Sequence, residues 1–242
     1  MKRIVLWRRD PRESAIVRTA VATGYTGVGR NQHGMGEGCL DRYDCLKLLA
    51  DRLIDDQMLV VTSLSTNTSV FASLRKSGPG FYGLNMGLCT GFAVGVSLAF
   101  PKRKVIALDS DGSMMEDTSV LITIGDVNPK NLVVIVFDNQ AYARMGPTAT
   151  ARNANLAQMA QGAGIETTRT VRTIGEFEEA VTAALKGDGP SFLVAKVEAE
   201  TTRARATNPR RTYGRAMREA FIDEIMKFPD YRGPGAAAAP SD

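Results

Sequence analysis

The segment 131–138, with the sequence NLVVIVFD, constrains the fold more than any other part of the chain. Six apolar residues follow one another between Pro129 and Asp138 without the polar alternation of a half-exposed strand. A run this short and this apolar is typical of a strand that is buried on both faces. Strands of that kind occur mainly in parallel sheets, where helices cover both sides. We therefore expect this segment to be a central strand.

Apolar strands and amphipathic helices alternate along the rest of the chain. The predicted strands are 58–62, 104–109, 131–138, 165–170 and 191–197. The predicted helices are 42–56, 86–100, 117–127, 156–162, 174–186 and 214–226. This alternation predicts an α/β fold, a mostly parallel central sheet with helices on both faces.

We expect one domain over residues 39–232. The glycine-rich sequence within residues 1–38 predicts a flexible N-terminal arm, and residues 233–242 predict a disordered tail. No segment has the length and apolarity of a membrane span, and the N-terminus lacks a secretory pattern. Three cysteines without metal-ligand spacing and a single histidine indicate a cytoplasmic protein without a zinc site.

The net charge of +4 includes a group of arginines near the C-terminus. Such a group could bind nucleic acid, and it would then give binding that weakens steeply with salt. However, acidic residues follow at once, and Tyr213 is the one aromatic residue within the group. We therefore expect a solvated or subunit-facing helix, with no nucleic acid and no membrane as partner. The arginines are Arg203, Arg205, Arg210, Arg211, Arg215 and Arg218.

Polar residues follow two of the predicted strands directly. Asp111, Gly112 and Ser113 come after the strand 104–109, and Asn139 comes 28 residues after Asp111, at the end of the next strand. If these strands are neighbours, both groups lie at the carboxyl edge of the sheet, where such folds bind ligands. Carboxylate and amide oxygens suit Mg²⁺ or Ca²⁺. A glycine turn that leads into a helix suits an anion, so the pair predicts a metal-bridged diphosphate site.

The segment SDGSMMEDTSVLITIGDVNPKNLVVIVFDNQAY resembles the thiamine diphosphate motif, which opens with Gly-Asp-Gly and closes with Asn-Asn or Asp-Asn. The resemblance implies thiamine diphosphate and Mg²⁺ as cofactors, with Asp111, Asn139 and the carbonyl of Ala141 as metal ligands. It places Tyr142 beside the cofactor, together with Gly112 and Ser113. Ser110 departs from the pattern, because the family has glycine at that position.

The preceding segment FYGLNMGLCTGFAVGVSLAFP is similar to the family's stretch that begins a helix rich in small residues. The resemblance implies that Met86 wedges under the cofactor and that Gly87 leaves room beside its ring. The carbonyl of Leu84 matches the group that accepts the exocyclic amine of the cofactor. Ser65 and Thr66 lie where relatives have a loop that touches the diphosphate.

The resemblance is closest to the small subunits of split 2-oxo acid decarboxylases that act on sulfopyruvate or phosphonopyruvate. It implies that the activating glutamate belongs to a separate pyrimidine-binding (alpha) subunit in a hetero-oligomer. The expected substrate is a small anionic 2-oxo acid. Arg144, just past the metal loop, is our candidate for reading its second negative group, since guanidinium pairs with carboxylate, sulfonate or phosphonate.

Two other interpretations of the same site stay open. A thiamine diphosphate-dependent carboligase or lyase, similar to acetolactate synthase, would use the same cofactor but form a carbon–carbon bond. A non-catalytic cofactor-holding subunit would keep the fold, with Ser110 marking decay of the site. Product analysis with an added aldehyde would separate the first from a decarboxylase.

Overall fold

The computed structural model describes residues 39–75, 77–142, 145–199 and 215–231. The predicted arm (1–38) and the predicted tail (233–242) lie outside the described residues, as does Arg144. Within the described part of the chain, no helix is long and apolar enough to cross a membrane.

Six strands and eight α-helices follow one another in the described residues. The strands are β1 (Met58–Ser63), β2 (Gly80–Leu84), β3 (Lys104–Ser110), β4 (Leu132–Asp138), β5 (Thr167–Val171) and β6 (Ser191–Lys196). The helices are α1 (Arg42–Ala50), α2 (Thr66–Leu74), α3 (Cys89–Ala99), α4 (Asp111–Glu116), α5 (Val120–Val127), α6 (Leu156–Gly162), α7 (Ile174–Lys186) and α8 (Arg215–Ile225).

The strands form one sheet in the order β2-β1-β3-β4-β6-β5, and every pairing in it is parallel. All residues of β1 and of β4 are buried. Because successive side chains of a strand point to opposite faces, helices or loops must cover both faces at these strands. The prediction of a parallel α/β fold with 131–138 as a central strand is confirmed.

The chain reverses its direction of travel across the sheet between β1 and β3. It passes from β1 to β2 on one side and then returns to place β3 on the other side of β1. The loops that follow β1 and β3 therefore leave in opposite directions and open a crevice at the carboxyl edge. The candidate site lies at this crevice.

The structure corrects several predicted boundaries. Neither α2 nor β2 was predicted, and the region 117–127 is only the second part of a pair of helices, α4 and α5. The predicted helix 86–100 begins later, at Cys89, because Gly87 adopts a φ of 79° that a right-handed helix cannot contain. The predicted helix 42–56 ends as α1 at Ala50.

Charged and polar side chains close the opposite, amino end of the sheet. The Arg75 guanidinium is only 4% exposed and donates to the Asp55 carboxylate and to the carbonyls of Met58 (3.1 Å) and Pro79 (3.2 Å). The Asn131 amide nitrogen lies within hydrogen-bond distance of the carbonyls of Ser97, Phe100 and Arg103, at 2.7–3.1 Å. These contacts tie the starts of the strands to the loops that precede them.

Candidate active site at the carboxyl edge of the sheet

Asp111 is the central residue of the site. It begins α4 directly after β3 and is 1% exposed. Its Oδ2 accepts hydrogen bonds from the hydroxyls of Thr148 (2.7 Å) and Thr150 (3.3 Å). Its Oδ1 is equally buried but has no hydrogen-bond partner among the described residues. A buried carboxylate oxygen without a partner is costly, so Oδ1 is available to a group beyond the described residues.

Burial raises the pKa of Asp111 to about 6. The hydrogen bond from Thr148 opposes this increase in the pKa, and the nearby Asp138 carboxylate adds to it. A cation next to Oδ1 would act in the direction opposite to burial and would favour the charged carboxylate. Charge and geometry at Asp111 therefore both match a metal ligand.

The turn around Gly112 is closely packed. A Cβ atom at Gly112 would lie 2.6 Å from Cε1 of Tyr142 and 3.6 Å from Cε of Met86, so the turn brings these two predicted site residues together. Ser110, in place of the family's glycine, has an extended backbone with φ −123°. Its hydroxyl accepts a hydrogen bond from the Ser113 N–H (3.4 Å), so serine fits this turn without strain.

The loop after β4 holds Asn139 in one orientation. The Asn139 amide nitrogen donates to the carbonyl of Ala199 (3.2 Å). The amide oxygen consequently faces the other way, where it accepts a long bond from the Ala141 N–H (3.4 Å). Gln140 adopts a left-handed φ of 61°, and Ala141 pairs with Pro147 across the loop. The amide oxygen that a metal would use therefore has only this one long hydrogen bond among the described residues.

The segment after β2 carries the predicted wedge. Met86 is 40% exposed, and the Gly87 N–H donates to the Ser113 hydroxyl (3.1 Å), which fixes this segment against α4. A Cβ atom at Gly87 would lie 3.1 Å from Cβ of Glu116, so glycine serves both its φ and this approach. The carbonyl of Leu84 already accepts from the Leu64 N–H (2.5 Å). A carbonyl has two lone pairs, so it can accept a second donor.

The loop after β1 contributes the start of α2. Ser65 is the N-cap residue, but its hydroxyl makes no capping bond and is buried without a partner among the described residues. Thr66 is exposed at the first helical position. The Asn67 amide nitrogen donates to the carbonyl of Asp109 (3.1 Å), which ties α2 to the end of β3 beside Asp111. Ser65 and Thr66 thus lie at the end of β1 that faces the same crevice.

Four polar residues that form one network with Asp111 are not among the predicted site residues, although Asp138 belongs to the Asp-Asn pair that closes the motif. They are polar residues that long-range packing brings behind the metal-ligand positions, and they are Asp138, Thr148, Thr150 and Lys196. Asp138 is adjacent to Asn139, but its carboxylate points into the protein and is 1% exposed. Only the fold shows that the two carboxylates are neighbours.

The donor set fits a hard cation that bridges to a phosphate group. It combines one carboxylate oxygen, one amide oxygen and a backbone carbonyl, and Mg²⁺ usually takes few protein ligands and completes its shell with phosphate and water. The described residues contain no cluster of three or more His, Cys, Asp or Glu side chains of the kind that binds a metal by protein ligands alone. The site is suited to a metal that arrives with a diphosphate.

The chain belongs to the thiamine pyrophosphate enzymes. The model of the family described as "Thiamine pyrophosphate enzyme, C-terminal TPP binding domain" matches residues 69–195, which include β2–β4 and the loops around Met86, Asp111 and Asn139.

Among curated proteins, the chain is similar to the sulfopyruvate decarboxylase subunit beta of Methanocaldococcus jannaschii. The two are 31% identical over 158 residues, which cover 64% of this chain and 82% of the relative. The phosphonopyruvate decarboxylase of Streptomyces viridochromogenes is 29% identical over 154 residues, covering 63% of this chain and 38% of that protein. The predicted resemblance to these decarboxylases is confirmed.

Solved structures show the same fold. One is a putative thiamin diphosphate-dependent enzyme from Mycobacterium smegmatis, with a TM-score of 0.59 and 22% identity. The match covers 66% of this chain and 32% of that one, so this chain spans about a third of the solved structure.

Proposed function

We propose that this chain is the diphosphate- and Mg²⁺-binding subunit of a cytoplasmic thiamine diphosphate-dependent decarboxylase. Its substrate would be a small 2-oxo acid with a second negative group, of the sulfopyruvate or phosphonopyruvate type. The observation that carries the proposal is the buried Oδ1 of Asp111 at the crevice between β1 and β3, for which the described residues offer no hydrogen-bond partner. A carboxylate is kept in that state where a cation completes it.

The residues divide between metal and cofactor. Asp111, the amide oxygen of Asn139 and the carbonyl of Ala141 would hold Mg²⁺. The turn at Gly112 and Ser113, together with Ser65 and Thr66 at the start of α2, would face the diphosphate. Met86 and Tyr142, which meet over Gly112, would support the rings, with Gly87 and the carbonyl of Leu84 beside them. When bound, thiamine diphosphate supplies the electron sink for loss of CO₂.

A pyrimidine-binding partner subunit would complete the site and supply the activating glutamate. Three large apolar side chains in the segments that follow β1 and β2 are exposed: Leu64 is 44% exposed, Met86 40% and Leu88 54%. Large apolar residues grouped beside a polar crevice mark a surface that another chain covers. We call these three residues the apolar rim.

Arg144 remains our candidate for the second negative group of the substrate. It follows Tyr142 by two residues, and Tyr142 packs against the turn at Asp111 and Gly112. A guanidinium can pair with a sulfonate or phosphonate through two parallel hydrogen bonds. Arg144→Ala should therefore raise the KM for a dianionic substrate far more than that for pyruvate, and equal effects would remove Arg144 from this role.

Calorimetric titration of thiamine diphosphate with Mg²⁺ tests the cofactor assignment. The chain is titrated alone and together with its pyrimidine-binding partner. We expect binding that requires Mg²⁺, tightens with the partner and is lost in Asp111→Ala. The matched control is Asp126→Ala, since Asp126 is an exposed aspartate on α5. Binding without dependence on the metal, or unchanged in Asp111→Ala, would refute the proposal.

A further inference from the structure

We propose that Lys196 is a positioning residue that, through Asp138, holds the loop of metal ligands in place. The inference rests on the proposed function, because it concerns how this chain prepares the same Mg²⁺ site. Neither residue is one of the proposed metal ligands.

Lys196 and Asp138 are direct partners in adjacent strands. The register of β4 and β6 places their Cα atoms opposite each other at the carboxyl edge, and the Lys196 ammonium contacts Oδ2 of Asp138. The side chain of Asp138 is 1% exposed and that of Lys196 is 15% exposed. An ion pair this buried is costly to form, and removing one partner leaves an uncompensated charge.

The second oxygen of Asp138 is tied to the metal loop. Its Oδ1 accepts from the Gln140 N–H (3.1 Å), which lies between the ligand positions Asn139 and Ala141. It also accepts from the hydroxyl of Thr150 (2.8 Å). The Asp138 carboxylate thus connects Lys196 to the loop that carries two of the three proposed ligands.

The third proposed ligand belongs to the same network. The hydroxyls of Thr148 and Thr150 lie 2.8 Å apart, and Thr148 donates to Oδ2 of Asp111 (2.7 Å). The Thr150 hydroxyl lies within hydrogen-bond distance of both buried carboxylates, Asp111 (3.3 Å) and Asp138 (2.8 Å), at neighbouring strand ends. Like charges this close repel each other strongly at low dielectric, and Lys196 is the cation that faces Asp138 directly.

The chain that follows Lys196 strengthens the same arrangement. The Val197 N–H donates to the carbonyl of Asp138 (3.1 Å), and the carbonyl of Ala199 orients the Asn139 amide. Lys196 and two of the three residues after it, Val197 and Ala199, thus contact the metal loop. Lys196 provides the charged contact, and the backbone provides the other two.

The consequence is a specific dependence on charge. In Lys196→Met, Asp138 would lose its counterion, and the oxygen that Lys196 contacts would compete with Asn139 and Asp111 for donors and for the cation. We expect the Kd for Mg²⁺ to rise by about tenfold or more, as is usual when a group that orients metal ligands is removed. Asp138→Asn removes the charge that Lys196 balances, so the double variant Asp138→Asn/Lys196→Met should bind Mg²⁺ within about threefold of the unmodified protein.

The experiment is a double-mutant cycle read by calorimetric titration of Mg²⁺ at saturating thiamine diphosphate, with the partner subunit present. Lys104→Met is the matched control, because Lys104 lies at the amino end of β3 and its ammonium bonds the carbonyl of Gly187. Lys196→Arg, which keeps the charge, should retain most of the affinity. Should Lys196→Met fail to fold, Lys196→Gln takes its place in the cycle; it should weaken Mg²⁺ binding by about the same factor, and Asp138→Asn should restore that binding in the same way.

Two results would overturn the inference: Mg²⁺ binding by Lys196→Met equal to that of Lys104→Met, or a double variant as weak as Lys196→Met or weaker. A purely structural loss of the ion pair would give the second result, since it predicts no rescue. Absence of Mg²⁺-dependent cofactor binding in the unmodified pair would instead refute the proposed function itself.

Discussion

The two ends of the sheet differ in how fully their buried polar side chains are hydrogen-bonded. At the amino end, Arg75 and Asn131 direct their donors to carboxylates and carbonyls within the chain. Arg103 pairs with Asp230 (2.6 Å) and lies 3.5 Å from the centre of the Phe228 ring. At the carboxyl end, Asp111, Ser65 and Asn67 each keep a buried oxygen without a hydrogen-bond partner in the described residues.

The difference separates stability from function within one sheet. A satisfied buried polar group stabilises the fold, whereas an unsatisfied one costs free energy that the rest of the structure must offset. The unpartnered oxygens of Ser65, Asn67 and Asp111 lie in the residues that directly follow β1 and β3, at the crevice between these strands. Among the described residues, Arg75, Asn131 and Arg103 are thus paired at the amino end, whereas Asp111, Ser65 and Asn67 keep unpaired oxygens at the carboxyl end.

The largest expected effect comes from breaking the amino end. Arg75→Ala removes the donors of two buried carbonyls and the partner of Asp55, and we expect the free energy of unfolding to fall by about 3 kcal/mol. Chemical denaturation followed by circular dichroism measures this loss. The matched control is Arg169→Ala, since Arg169 forms an exposed pair with Glu179 and should lose less than about 1 kcal/mol. A similar loss for both variants would contradict the comparison.

The next effect concerns the carboxyl end alone. Gly112→Ala places a methyl group against the Tyr142 ring and should weaken Mg²⁺-dependent cofactor binding about 100-fold, which corresponds to about 2.7 kcal/mol. Calorimetric titration with the partner subunit measures it. Gly95→Ala is the control, because a Cβ atom at Gly95 of α3 would meet no atom within 4 Å. If both variants bind alike, the close packing at Gly112 does not shape the site.

The smallest effect is a gain in stability. Asp111→Asn removes a buried charge that faces Asp138, so in the protein without metal it should raise the free energy of unfolding by about 1 kcal/mol. Denaturation in the presence of a chelator measures the gain. Added Mg²⁺ and thiamine diphosphate should reverse the order of the two proteins. A loss of stability in chelator would show that the Asp111 carboxylate serves the fold.

Most of the sheet could be predicted from the sequence because most of its strands are short apolar runs. The fully buried strand β4 is a continuous apolar run, and α7 shows both a clear amphipathic pattern and a capping box at Thr173. The strand β2 contains two glycines in five residues, and α2 is rich in threonine and serine, so local preference favours neither. Pairing with β1 stabilises β2, and packing against α1 stabilises α2.

The candidate site was predictable only where it follows a strand end. The sequence motif indicates Asp111 and Asn139. The register of β3 and β4 brings these two residues, which directly follow the strands, to one edge of the sheet. Lys196 lies 58 residues beyond Asp138, and Thr150 lies 39 residues beyond Asp111. No local pattern links such pairs, because their proximity is a property of the folded sheet.

The extended backbone of Ser110 bears on how such chains are recognised. With φ at −123°, that position accepts any side chain, and the serine hydroxyl even assists the helix that follows. A sequence motif that requires glycine at this position would miss this chain, although its backbone at Ser110 is unstrained. The backbone of this chain therefore does not require glycine at the head of the motif.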